Sequence, residues 1–66
     1  MEITEEMLCV GDNFVEDNVT RVITEIGDGW LSQDTFNNGF RVGNYKLTIR
    51  DFLFQRNRKN TWRKEF

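Results

Sequence analysis

Cys9 is the chain's single thiol and Ser32 its single serine, and there is no histidine anywhere to activate either. A serine or cysteine nucleophile needs an adjacent base before it attacks, so triad-type acyl transfer has no machinery here. Cys9 sits between Leu8 and Val10, where a free cysteine reads as a small buried hydrophobe. Lone Cys9 also excludes an internal disulfide, and without histidine a Cys/His zinc site cannot be assembled from one chain. The acids Glu5, Glu6, Asp12, Glu16, Asp17, Asp28 and Asp34 fall at ends and turns, where carboxylates are solvated rather than paired for acid–base work. Asp12–Asn13 and Asp17–Asn18 lack the spacing, central glycine and closing glutamate of a calcium loop. Gly27-x-Gly29 lacks the third glycine and the βαβ setting of a phosphate cradle and reads as a turn. Asn18–Val19–Thr20 spells a glycosylation triplet by letter only. The expectation is therefore no enzyme, no catalytic residue, no metal, no cofactor and no small-molecule substrate.

Charge is more informative. Residues 1–49 hold three basic against nine acidic side chains, a net −6, and residues 50–66 hold six against two, a net +4. Arg56, Arg58, Lys59, Arg63 and Lys64 are interleaved with Trp62. Guanidinium and ammonium groups neutralise phosphates, and an indole face stacks an unpaired base, so these six residues form the candidate binding surface. The plainer reading is that alternating cations guard a C-terminal edge strand against sheet-to-sheet pairing. The acidic remainder, Glu2, Glu5, Glu6, Asp12, Glu16 and Asp17, offers a negative surface to a basic protein, with ordinary solubility as its plain alternative.

The elements that must carry these residues are mainly strands. Sixty-six residues allow one domain with one core, and nine aromatics can fill it. Residues 1–7 read as a flexible N-terminal segment and residues 8–66 as one small β domain. Six of the eight residues Val19–Ile26 are β-branched, which outweighs their helical spacing and predicts a strand. Gly27–Asp28–Gly29 turns that strand into Trp30–Gln33, and Asn37–Asn38–Gly39 predicts a type I′ hairpin flanked by Phe36 and Phe40. Gly43–Asn44 is a bulge or a further turn. Tyr45, Leu47 and Ile49 alternate onto one face. Thr48 and Asp51 have the spacing of a helix start, predicting a short helical turn near Arg50–Phe54, with a longer helix to Lys59 as the alternative. Residues 61–66 close the sheet as a last strand or continue as helix.

This order resembles the SH3-like small β-barrels, including short uncharacterised bacterial and phage proteins of that form. The residues that carry the resemblance are Val10–Gly11–Asp12–Asn13–Phe14, Ile26–Gly27–Asp28–Gly29–Trp30 and Leu47–Thr48–Ile49–Arg50–Asp51–Phe52–Leu53, within a span from Leu8 to the C-terminus. It implies a mainly β, five-stranded barrel or meander with one short helical turn before the last strand. It also implies a non-enzymatic module that binds another protein or itself, such as a phage or mobile-element accessory protein; a nucleic-acid-binding barrel is the alternative. No apolar run approaches the length of a membrane span, and the acidic start is unlike a signal peptide, so no membrane partner and a cytoplasmic setting are expected.

Overall fold

The computed structural model describes residues 2–59 and 63–65. A 3₁₀ turn at Glu5–Met7 leads to four antiparallel strands, β1 (Asn13–Glu16), β2 (Val19–Ile26), β3 (Trp30–Asn37) and β4 (Phe40–Thr48). Helix α1 (Ile49–Lys59) follows, and a three-residue piece, β5 (Arg63–Glu65), lies antiparallel beside β1. The sheet order is β4-β3-β2-β1-β5. The fold is mainly β with one helix, as expected. It is not a closed five-stranded barrel: four strands carry one open sheet with a short piece at its β1 edge, and among the described residues β4 pairs only with β3. The physical reason lies in what covers the inner face. Ile49 and Phe52 of the helix fill the core against Phe14, Ile23 and Leu31, so the sheet buries its apolar residues without curling back on itself.

The helix takes the longer of the two expected forms, running eleven residues to Lys59 rather than stopping after one turn. The Thr48 hydroxyl accepts the Asp51 N–H at 3.1 Å, which satisfies one of the free donors of the first turn. Ile49, Phe52 and Arg56 are then buried at helical spacing. Phe52 meets Phe14 edge-to-face, with centroids 5.3 Å apart. Ile49 thus begins the helix instead of ending the alternation of Tyr45 and Leu47.

Among the remaining sequence expectations, the strand, hairpin and bulge hold and the burial of Cys9 does not. Val19–Ile26 is a strand, with a register shift between Ile23 and Glu25. Asn38 and Gly39 take φ of 53° and 84°, as a two-residue I′ hairpin requires. Gly43 lies at a bulge: Thr35 faces Gly43 while Phe36 faces Arg41, leaving Val42 as the extra residue. The first strand is Asn13–Glu16. Cys9 is exposed, not buried, and its N–H donates to Asp12 Oδ2 at 2.8 Å. At the N-terminal side, the Asn57 side chain forms two hydrogen bonds with the backbone of Ile3, at 2.8 and 2.9 Å.

Candidate binding surfaces

Strand register places residues in rows across the inner face. Phe14, Arg21, Thr35 and Gly43 form one row; Ile23, Gln33 and Tyr45 the next; Ile26, Leu31 and Leu47 the third. The apolar members pack with the helix into the core. The polar members gather at the other end of the same face. There, Arg21, Gln33, Thr35, Val42, Tyr45, Leu47 and Gln55 line a groove of about 400 Å³. Gln33 is 3% exposed and Thr35 8%. Gln33 Oε1 and Thr35 Oγ1 are both buried and have no hydrogen-bond partner among the described residues.

Behind the groove lies Arg56, 2% exposed, with its guanidinium 5.1 Å from the Phe52 ring centroid. Burial lowers its pKa to about 10, the nearby Arg21 charge adds to the depression, and Glu16 opposes it. Arg56 is therefore a core residue and does not belong to an exposed basic surface. Of the other predicted surface residues, Arg58 is exposed on α1, with its guanidinium 5.8 Å from the Phe54 ring. Arg63 and Lys64 sit opposite Val15 and Phe14 in the β5–β1 register. Trp62 lies outside the described residues, as do the side chains of Lys59, Arg63 and Lys64. The structure places Arg50, Phe54 and Arg58 at four-residue spacing on the exposed side of the helix, above a shallow hollow that Glu2, Leu53 and Asn57 complete.

Sequence reasoning missed a second surface, which is β4. Phe40 is 77% exposed, Val42 58% and Tyr45 53%. They lie on a nine-residue edge strand that carries Arg41 and Lys46 and no acid. The missing acids were a visible signal, in a region where acids otherwise prevail; the exposure was not. On the outer face, Asp34 Oδ1 accepts from Asn44 Nδ2 at 2.7 Å and Arg41 Nη2 at 3.3 Å, and Asn44 also donates to Thr24 Oγ1 at 3.2 Å. The Asn44 hydrogen bond, ahead of Arg41, holds the Asp34 carboxyl below its ordinary range. Lys46 Nζ sits 4.0 Å from the Trp30 ring centroid. Trp30 in turn occupies the space that a β-carbon on Gly27 would need.

Among the described residues no helix is long and apolar enough to cross a membrane, and no cluster of three metal-ligating side chains is gathered. Comparison of the chain with protein-family models, with curated proteins and with solved structures finds no match.

Proposed function

We propose that the protein is a non-enzymatic binding module that takes an extended segment of another protein onto the free edge of β4. The observation that carries this is a nine-residue edge strand with three exposed large apolar side chains, Phe40, Val42 and Tyr45. An unpaired edge presents a row of backbone donors and acceptors, and flanking apolar side chains add affinity to the ladder. The bulge at Val42 and the two cations limit indiscriminate pairing and favour a strand of opposite charge. A second copy of β4 fits less well. Antiparallel pairing centred between Gly43 and Asn44 sets Arg41 against Lys46 twice, and like charges directly opposite are unfavourable. An acidic, apolar-alternating segment is the better complement. The SH3-like kinship belongs to the same reading, supported by the sequential strand order and by a helix preceding the last strand.

Selection from a displayed peptide library tests this. The expected binders are extended sequences that alternate apolar residues with Asp or Glu. Phe40→Ala combined with Tyr45→Ala removes binding without unfolding the domain, and Lys46→Glu shifts selection away from acids. Binders with no acidic bias, or binding indifferent to the double variant, overturn the proposal.

A second reading is nucleic-acid contact through Arg50, Phe54 and Arg58 on the exposed helix face, favoured by the Arg58 guanidinium 5.8 Å from the Phe54 ring and by Arg50 lining the same hollow. It requires affinity for single-stranded DNA or RNA that falls steeply with salt. A blank gel shift at low salt removes it.

A further inference from the structure

We propose that the groove bounded by Arg21, Gln33, Thr35, Tyr45 and Gln55 is a carboxylate-recognition pocket that receives an Asp or Glu side chain of the segment paired to β4. This rests on the reading of β4 as a docking edge.

Gln33 and Thr35 occupy inner-face positions of β3, in line with Leu31, where an apolar residue would pack without cost. Their buried oxygens, Gln33 Oε1 and Thr35 Oγ1, have no partner among the described residues. A buried polar atom left unmatched is unfavourable, so two in one groove point to a group that arrives from outside. The chemistry of the walls selects that group. Arginine only donates, and the hydroxyls of Thr35 and Tyr45 can donate. The Gln33 amide can turn to present its NH₂, since the two ends of an amide differ little in shape. The Gln55 side chain, at the helix side of the groove, adds another donor. The ligand they share is therefore an acceptor.

Its charge follows from the surroundings. Arg21 lines the groove, and Arg56 lies close enough to feel both the Arg21 charge and that of Glu16. Guanidinium donors at the wall favour an anionic acceptor over a cationic ligand. The source follows from position: Val42 and Tyr45 belong both to the groove and to the β4 edge, so a side chain of a strand laid along β4 reaches the pocket.

The test follows ¹⁵N-labelled protein by NMR with three probes: sodium acetate, acetamide and methylammonium chloride. Acetate is expected to give saturable shifts at the Gln33 side-chain amide and at Thr35, with none from methylammonium and weaker ones from acetamide. Thr35→Val keeps the shape and removes the hydroxyl. It is expected to leave the melting temperature unchanged or raised, and to weaken acetate binding roughly tenfold, as loss of a charge-assisted hydrogen bond does. Gln33→Leu serves as the second variant. Silence to acetate at both positions, or equal response to acetamide, overturns the pocket. A second arm compares a library-selected peptide carrying Glu with its Gln counterpart, reading affinity and amide-exchange protection along β4. The Glu peptide is expected to bind about tenfold tighter, with the difference gone in Thr35→Val. Protection of β4 with equal Glu and Gln affinities sinks the pocket and leaves the docking edge standing. Saturable acetate shifts without β4 protection sink the edge and, with it, the peptide as source of the carboxylate.

Discussion

Two single residues fix much of the local geometry. Thr48 ends β4 and caps α1 through its hydroxyl. Thr48→Ala is expected to lower stability by about 1 kcal/mol in denaturant unfolding, the usual cost of a lost N-cap. Asp34 holds β4 to β3 on the outer face through Asn44 and Arg41. Its pKa is lowered from the ordinary aspartate value, chiefly by the Asn44 hydrogen bond. A depressed carboxyl contributes stability that is fully present above the unfolded value and is lost as pH falls through the folded one. A ¹³C carboxyl titration should therefore place Asp34 below a solvated aspartate and show Asn44→Ala returning it upward. An unshifted Asp34 in the parent protein would remove this hydrogen bond from the account.

At the scale of elements, the turns were plain in the sequence because their residues have few other uses. Asn38–Gly39 supplies the two positive φ values of its hairpin, and Gly29 takes φ of 78° at the tight turn into β3. The β1–β2 hairpin was hidden, since its two-residue turn, Asp17–Asn18, contains no glycine and Asp17 takes the positive φ. The helix was legible as a start, while its length stayed open between one turn and a run to Lys59. Thr48 and Asp51 announced it, but Arg56 looked like a solvent-facing cation. Its burial beneath the sheet is a tertiary fact, although its guanidinium also lies 5.1 Å from the Phe52 ring one helical turn earlier. Within the candidate surface Arg56 misled for the same reason: a run of cations shows charge, while burial decides which side chains point outward. Gly27 shows how close packing constrains a turn. The Trp30 indole fills the place of its missing β-carbon, so Gly27→Ala must displace the ring. Such overpacking is expected to cost about 1–3 kcal/mol and to weaken the Lys46–Trp30 contact, visible as altered tryptophan fluorescence. Stability and emission both unchanged would contradict that packing.

At the scale of the whole molecule, charge is divided between a net acidic body and a cationic β4 edge. Counting charges along the chain concealed this, because acids outnumber bases over residues 1–49 while β4 itself carries Lys46 and Arg41, the latter paired to Asp34. An acidic partner strand is attracted at the edge and at Arg50 and Arg58 on α1 and repelled over the acidic remainder, so the long-range field should act mainly on orientation during encounter. This predicts a particular salt response for a selected acidic peptide. Between 50 and 500 mM salt, association should slow by about an order of magnitude, while dissociation, governed by backbone ladder and apolar contacts, should change much less. Phe40→Ala with Tyr45→Ala should do the reverse, speeding dissociation and sparing association. Stopped-flow measurements on the parent and the double variant separate the two effects. If salt instead acts on dissociation, the charges belong to the bound interface itself; if it acts on neither rate, the cationic edge has no part in choosing the partner.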